Sequence, residues 1–227
     1  MAATSGFLTA ISSMLLVVSA FIISSGATNS LPNCNTLDCP KYDVIDGNSD
    51  FEIRRYNSTF WTSTSKIEDI SFVHANLLAF DQLFDYIQGK NDYGVKIEMT
   101  APVISEVYPS SGPVCASSFV VSFYLPEENQ KDPPPAEDVH LQTWGVTYVA
   151  VRQFGGFVED YDIGVQAAKL DATIQNTRWA SVVGKGRAGG GKDAASYIVA
   201  QYNSPFQFEN RVNEIWLSFD METSAVF

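Results

Sequence analysis

The glycine-rich run Gly184–Lys192, GKGRAGGGK, is the segment whose residue types come nearest to a chemical motif. It contains the spacing G-x-G-x-x-G and approaches a phosphate-binding loop, in which backbone amides and a lysine hold phosphate. Such a loop needs Ser or Thr after the lysine for Mg²⁺, and then a helix whose N-terminus points at the phosphate. Here Asp193 follows Lys192, and the next segment, Ser196–Tyr202, has the composition of a strand. The run therefore predicts a flexible basic loop and no nucleotide site.

The two histidines and three cysteines show no spacing that is typical of metal ligands. His74 falls on the polar side of a predicted helix, with Asp81 and Asp85. His140 begins a predicted strand directly after two acidic residues. We interpret both histidines as solvent-exposed. Because no G-x-S-x-G sequence is present and neither histidine has a triad context, the chain has no recognisable catalytic constellation. A hydrolase is therefore disfavoured.

Two similar halves are predicted to position these residues. In the first half, the alternating runs FEIRRY and FWTSTS predict a hairpin that turns at residues 57–59. A helix is predicted for Ser71–Gln88, with Gly89 as its stop. The strands VKIEMTAPVI and SSFVVSFYL follow, joined by a turn at Pro109–Pro113. This half therefore has the order strand, strand, helix, strand, strand.

The second half repeats that order after a proline-rich linker at residues 126–138. HLQTWGVTYVAVRQF predicts two strands broken near Gly145, and Val158–Gln175 predicts a helix. SYIVAQY and NEIWLSF predict the last two strands. A duplicated β-β-α-β-β repeat belongs to the α+β class, with antiparallel strands. Two such repeats are expected to form a distorted antiparallel β-barrel flanked by two helices.

The first predicted helix is apolar over an arc wider than contact with one sheet requires. At 100° per residue, its apolar side chains fall into two neighbouring stripes. One stripe holds Val73, Leu77, Phe80, Phe84 and Ile87, and the other holds Phe72, Ala79, Leu83 and Tyr86. One stripe must pack on the strands, while the other is either core as well or lines an open groove. The periodicity does not decide which stripe faces outwards.

Five motifs in a fixed order resemble the SOUL haem-binding protein family. They are FEIRRY (51–56), GKNDYGVKIEMTAPV (89–103), DPPPAED (132–138), QFGGF (153–157) and NRVNEIWL (210–217). The resemblance extends from about Tyr42 to Phe219, most of the chain. It implies reversible, non-covalent tetrapyrrole binding on a distorted antiparallel barrel with two helices.

The resemblance also implies a hydrophobic groove along the first helix as the haem site. On that basis the expected groove residues are Val73, Leu77, Phe80 and Phe84. Arg211, in the NRVNEIWL motif, is a candidate partner for a haem propionate, because arginine pairs bidentately with carboxylates. An ion pair of Arg211 with a neighbouring Glu209 or Glu214 is the alternative.

Axial ligation of the iron is expected to be weak or absent. Some relatives carry histidine at the second of the paired positions of the FEIRRY-type strand, and this chain has Arg55 there. Met99 has a thioether that can bind haem iron, but alternation places it on the same face as Ile97, which indicates core. The sequence contains no C-x-x-C-H, so covalent haem attachment is excluded.

Residues 1–27 are expected to be a secretory signal peptide. The first thirty residues carry no charged side chain, and Met14–Ile23 is an apolar run too short to span a bilayer as a helix. Ser25 and Ala27 fit the small-residue rule for cleavage. A hydrophobic tail and a signal anchor are the alternatives. The expected order is then a Cys-containing segment (28–41), one domain (42–220) and a tail (221–227), in a protein that is exported to the extracellular space or a vacuole.

An exported chain would meet oxidising and glycosylating conditions. A bridge between Cys34 and Cys39 would leave Cys115 free, although pairing of either with Cys115 stays open. The sequence Asn57-Ser58-Thr59 is an N-glycosylation sequon in a predicted turn. Asn57 is therefore expected to be either a glycosylation site or an unmodified turn residue.

The net charge of −12 argues against nucleic acid and anionic membranes as partners. We expect a monomer that carries or buffers haem or another porphyrin and has no membrane partner after removal of the leader. The alternative is a protein-interaction module that docks a partner on the same apolar helix face, with haem binding vestigial.

Overall fold

The computed structural model describes residues 31–110, 115–189 and 195–221. These residues form ten β-strands and three α-helices. The strands are β1 (Tyr42–Gly47), β2 (Glu52–Tyr56), β3 (Thr59–Ser63), β4 (Ile67–Asp69), β5 (Val103–Tyr108), β6 (Ser117–Tyr124), β7 (His140–Trp144), β8 (Thr147–Gly155), β9 (Tyr197–Gln201) and β10 (Val212–Phe219). The helices are α1 (Phe72–Ile87), α2 (Asp160–Gln175) and α3 (Ala180–Gly189).

All ten strands belong to one antiparallel sheet that curls into a half-barrel. The strand order is β1-β2-β8-β10-β9-β5-β6-β3-β7, and β4 pairs separately with β6. Helices α1 and α2 pack on the sheet, and α3 packs on β10. The predicted α+β class, with antiparallel strands and a duplicated β-β-α-β-β order, is therefore confirmed.

The strand order reveals how the two halves of the chain combine. The order from β2 to β7 is symmetric about the contact between β9 and β5. Strands that hold the same place in the two halves lie equally far from that contact: β9 and β5, β10 and β6, β8 and β3, and β2 and β7. The first strand of each half pairs with the second strand of the other half, since β2 pairs with β8 and β7 pairs with β3. The halves have exchanged their first strands. The predicted hairpin between FEIRRY and FWTSTS is consequently wrong, because β2 and β3 lie in different parts of the sheet.

Two further expectations are corrected by the structure. The strand predicted from VKIEMTAPVI begins only at Val103. The residues before it run along the end of α1 instead, where the amide of Ile97 donates to the carbonyl of Ile87 at 2.8 Å. The predicted loop at Gly184–Lys192 is also wrong in its first part, because α3 extends to Gly189.

A glycine-rich helix forms here because it packs unusually close to the sheet. A Cβ atom at Gly186 would lie 2.4 Å from the carbonyl oxygen of Asp220, just beyond β10. Trp179 and Val183 are buried in the core beside it. Glycine costs a helix about 1 kcal/mol relative to alanine, and this burial offsets that cost. The glycine content of the sequence could not by itself reveal this close packing.

Helix α1 has a well-defined start and a single buried face. The hydroxyl of its N-cap, Ser71, accepts a hydrogen bond from the amide of His74 at 3.1 Å. At the other end, Gly89 has a φ of +107°, a conformation that glycine adopts readily. The side chains that pack on the sheet are Phe72, Ala75, Ala79, Leu83, Tyr86 and Ile87.

The N-terminal segment from Leu31 packs against an aromatic core that includes Tyr56, Trp61 and Trp216. Cys34 and Cys39 form a disulfide in this segment, and Cys115 is free and exposed. Of the expected leader (1–27) and tail (221–227), only Met221 lies within the described residues.

None of the helices in the described part of the chain is long and apolar enough to cross a membrane.

Candidate ligand groove

An open groove lies between α1 and the loops that follow β8 and β9. It encloses about 850 Å³ of space, including space that is open to solvent. Its walls are predominantly apolar, which is typical of ligand sites. The lining residues are Phe72, Val73, Asn76, Leu77, Phe80, Val103, Phe157, Val158, Gln201, Asn203, Pro205 and Arg211.

The α1 wall of the groove is formed by the outward stripe of the helix. Val73, Leu77 and Phe80 line the groove. Leu77 is 61% exposed and Val73 is 39% exposed. Full burial of such a side chain contributes about 1.5–3 kcal/mol, and these two side chains forgo the part of it that corresponds to their exposed fraction. This wall is therefore an apolar surface that has no partner within the described chain.

The two stripes that the helical periodicity distinguished have different environments. All four members of the second stripe are buried, as expected for core. Phe80 is half-buried and packs on Phe123 at 5.5 Å between ring centroids. Phe84 stacks on Phe80 at 5.6 Å but lies outside the groove lining. Ile87, which the wheel placed in the outward stripe, is buried, so the first stripe holds both groove and core residues.

The wall opposite α1 comes from the loop between β8 and α2. Phe157 and Val158 line the groove there, after Gly156, whose φ of +88° turns the chain. Pro205 extends this wall from the loop after β9. Sequence reasoning assigned no role to these residues. Phe157 belongs to the QFGGF motif, so a signal was present, whereas nothing in the sequence distinguished Pro205.

Arg211 belongs to the groove lining and is 7% exposed. Its Nη1 donates to the carbonyls of Ser204 and Gln207 at 2.8 and 2.7 Å. Its guanidinium lies over the ring of Phe157, at 4.3 Å from the centroid. Its Nε is buried and has no hydrogen-bond partner among the described residues. Burial lowers the pKa of Arg211 below its usual value.

Neither acidic neighbour considered from the sequence pairs with Arg211 in the described structure. Glu214 is bound to Arg54 instead, and Arg211 is held by backbone carbonyls. The described groove therefore combines a wide apolar surface with one buried guanidinium that keeps an unused donor. A buried donor without a partner is costly, but this Nε atom is covered by the surrounding chain, so a ligand in the groove would meet only other atoms of Arg211.

Comparison with known proteins now assigns the family. The model of the SOUL heme-binding protein family matches residues 37–218. The chain belongs to this family. Heme-binding protein 2 of Homo sapiens is 39% identical over 171 residues, which cover 74% of this chain and 77% of that protein. Heme-binding protein 2 of Mus musculus is 36% identical, with coverage of 77% and 80%. Heme-binding protein 1 of Bos taurus is 28% identical, with coverage of 68% and 76%.

Among solved structures, the C-terminal domain of EcmrR gives a TM-score of 0.48 at 9% sequence identity. The alignment covers 80% of this chain and 99% of that chain.

In this SOUL-family chain the candidate iron ligands lie away from the groove lining. His74 is exposed, and its Nδ1 lies 2.6 Å from the Asp69 carboxylate. His140 is exposed and lies 2.8 Å from the hydroxyl of Ser65. Met99 is partly buried against the core cluster that contains Ile97. In the described residues no three His, Cys, Asp or Glu side chains form a group that could hold a metal ion.

Arg55, at the position where some relatives carry histidine, forms an ion pair with Asp43 at 2.6 Å. It lies on β2, paired with Tyr148 of β8, and it does not line the groove. Asn57 is exposed in the turn between β2 and β3, an accessible position for the predicted glycan.

Proposed function

We propose that the groove beside α1 binds haem or a related tetrapyrrole reversibly, so that the protein carries or buffers this ligand. The observation that carries the proposal is the unpartnered apolar stripe of α1, which faces Phe157 and ends at the buried Arg211. Membership of the SOUL family supports haem as the ligand class. Val73, Leu77 and Phe80 would contact the macrocycle, and the guanidinium of Arg211, which belongs to the groove lining, would attract a propionate.

Apolar contact would supply most of the affinity. Covering about 300 Å² of macrocycle at ~25 cal/mol per Å² gives about 7.5 kcal/mol, before association costs of several kcal/mol. By itself, about 7.5 kcal/mol corresponds to a dissociation constant of about 3 µM, so after the association costs apolar contact alone gives weaker than micromolar binding. Contacts of the propionates would have to offset part of those costs. Haem would contribute its iron as a redox and ligand-binding centre, while the residues of the groove only hold and orient it.

Iron coordination would contribute little to binding. His74, His140 and Met99 lie outside the groove lining, and Arg55 is occupied by Asp43. None of these four side chains would therefore hold the iron of a haem in the groove. This is consistent with a carrier that must release its ligand.

We also propose that the protein works in the secretory pathway or outside the cell. The Cys34–Cys39 disulfide supports this, because disulfides persist in oxidising compartments. The apolar run Met14–Ile23 supports it from the sequence.

The test is a titration with haemin and with iron-free protoporphyrin, using the variants Leu77→Glu and Leu78→Glu. Both leucines are exposed on α1, at 61% and 50%, but only Leu77 lines the groove. A carboxylate at position 77 would repel the propionates and remove apolar contact. We expect Leu77→Glu to weaken binding of both porphyrins more than about tenfold, ~1.4 kcal/mol, and Leu78→Glu to leave it unchanged.

The two porphyrins should bind the unaltered protein within about tenfold of each other. A hundredfold preference for haemin that is lost in His74→Ala or His140→Ala would show that the histidine binds the iron, and would contradict the proposal that iron coordination contributes little. Failure of both porphyrins to change the Soret band or quench tryptophan fluorescence would refute the proposal and favour the protein-interaction module.

A further inference from the structure

A second apolar surface adjoins the groove and shares Phe157 with it. Its side chains come from the residue before the cap of α1, the β8–α2 loop, the start of α2 and the β9–β10 loop. We call it the rim surface; it consists of Ile70, Phe157, Tyr161, Phe206 and Phe208. Phe206 is 85% exposed and Phe208 is 75% exposed, so both rings extend into solvent.

The chain segments that carry the rim residues are held against one another by a ring contact and by hydrogen bonds. The rings of Phe157 and Phe208 are 6.0 Å apart. The carboxylate of Asp160, at the start of α2, accepts hydrogen bonds from the amide of Val73 at 3.0 Å and the hydroxyl of Ser71 at 3.2 Å. Both helix starts and both loops are thereby held together at one end of the sheet.

The β9–β10 loop keeps its shape without help from its phenylalanines. The guanidinium of Arg211 donates hydrogen bonds to the carbonyls of Ser204 and Gln207. The amide of Gln207 donates to Ser204, and the side chain of Asn203 accepts from the amide of Val212 at 2.7 Å. Because these bonds hold the backbone, the two exposed rings are not required for the fold. They are available for an external partner.

The charges around the rim surface indicate what kind of partner fits. The rim residues lie in the segments 70–77, 156–162 and 203–211. Within these segments the only arginine or lysine is the buried Arg211. The carboxylates in these segments are Glu159, Asp160, Asp162 and Glu209. Aromatic rings beside carboxylates attract quaternary ammonium groups, whereas anionic surfaces are repelled. Aromatic side chains also favour the interface between lipid headgroups and acyl chains.

We propose that the rim surface docks on the phosphatidylcholine face of a lipid bilayer, with Phe206 and Phe208 inserted at the headgroup level. The choline cations would lie against the rings and carboxylates. This departs from the expectation of no membrane partner, which rested on the net charge of the whole chain. A groove that opens at a bilayer could exchange an apolar ligand with it directly, and this consequence alone rests on the proposed porphyrin function.

The experiment is flotation of the ligand-free protein with phosphatidylcholine vesicles, comparing the unaltered chain with the Phe206→Ser, Phe208→Ser double variant. The matched control is Val44→Ser with Val146→Ser, which removes two exposed apolar side chains elsewhere. Val146 precedes β8, whose other end leads to Phe157. We expect the double variant to reduce the vesicle-bound fraction about tenfold or more, and the control to leave it unchanged.

Replacing part of the phosphatidylcholine by phosphatidylserine should weaken binding, since the protein is acidic. Three results would overturn the proposal: no flotation of the unaltered protein, equal flotation of the double variant, or stronger flotation with phosphatidylserine. A dimer of the unaltered protein that becomes monomeric in the double variant would identify a second copy as the occupant, and would overturn it as well. No porphyrin is present, so these results are independent of the proposed haem binding.

Discussion

Arg54 and Glu214 form a bidentate ion pair inside the sheet, with nitrogen–oxygen distances of 2.9 and 2.8 Å. Arg54 lies on β2 and Glu214 on β10, so the pair spans the intervening strand β8. Tyr202 and Trp216 also donate to Glu214, at 2.9 and 2.7 Å. Burial lowers the pKa of Arg54, but Glu214, Tyr56 and Tyr202 together raise it above its usual value, so the guanidinium stays charged.

Glu214→Gln should therefore destabilise the protein strongly. It leaves the guanidinium of Arg54 buried with only the carboxylate of Glu52 nearby. Breaking one side of a buried pair costs about 3–5 kcal/mol. Urea unfolding measures this loss.

The adjacent pair provides the control for that measurement. Arg55→Ala removes the exposed Arg55–Asp43 pair, and exposed pairs contribute little to stability. Equal effects of the two variants would show that burial of the Arg54–Glu214 pair is not the decisive factor.

Acid sensitivity should depend on Asp46. Its carboxylate accepts hydrogen bonds from the indole of Trp179 at 2.6 Å and the guanidinium of Arg178 at 2.8 Å. The hydrogen bond from Trp179, followed by those from Arg178 and the Gly47 amide, holds the pKa of Asp46 below 3.8 despite partial burial. Since the folded-state pKa is the lower one, the stabilisation is complete above pH 3.8 and is lost as the pH falls through that folded-state value.

Asp46→Asn should remove this contribution at neutral pH, by about 1–2 kcal/mol. The free energy of unfolding of the variant should then fall less steeply than that of the unaltered protein as the pH drops below about 4. Urea titrations at several pH values, followed by tryptophan fluorescence, measure both effects. Parallel curves for the two proteins would contradict this assignment.

The stacked pair Phe80 and Phe84 should separate binding from stability. Phe84 is 41% exposed, so Phe84→Asp should melt near the temperature of the unaltered protein. Phe80 packs on Phe123, so Phe80→Asp should lose about 2 kcal/mol of stability. Because Phe80 lines the groove and Phe84 does not, Phe80→Asp should also reduce porphyrin affinity more than Phe84→Asp does. If Phe84→Asp unfolds, Phe84 belongs to the core and the prediction is wrong.

Two glycines of α3 should respond oppositely to alanine. At Gly186 the new Cβ would meet the Asp220 backbone at 2.4 Å, so Gly186→Ala should destabilise by about 1–3 kcal/mol. At Gly184 nothing lies within 4 Å of the new Cβ. Gly184→Ala should therefore stabilise the helix by up to about 1 kcal/mol. Thermal melting of both variants measures the difference, and similar melting temperatures would contradict the close packing of α3.

The sequence predicted the elements of this fold better than their partners. Hydrophobic periodicity placed α1 and α2 within two residues of their observed ends, because an amphipathic pattern reflects local burial. It could not show that β2 leaves β3 and pairs with β8, because strand alternation identifies a face and not a neighbour. Alternation also predicted a strand around Ile97 and Met99, where the apolar side chains face the core without a strand.

For the groove, the sequence supplied one wall and not the other. The helical wheel placed Val73 and Leu77 in one stripe, together with the buried Ile87, and the family resemblance assigned that stripe to a groove. The opposite wall needs Phe157 and Pro205, which are distant in sequence and meet α1 only through the strand arrangement. The role of Arg211 in fastening the β9–β10 loop depends on backbone carbonyls, which carry no sequence signal.

The exchange of first strands has a consequence for how the protein evolves and unfolds. Although the order of elements is duplicated, neither half contains a complete set of neighbours for its own strands, since β2 needs β8 and β7 needs β3. The repeat is therefore not a pair of autonomous modules, and the two halves should gain or lose structure in a single cooperative transition. A substitution in a strand of one half therefore changes the strand with which the other half pairs. Selection on the groove beside α1 consequently acts on the whole sheet at once.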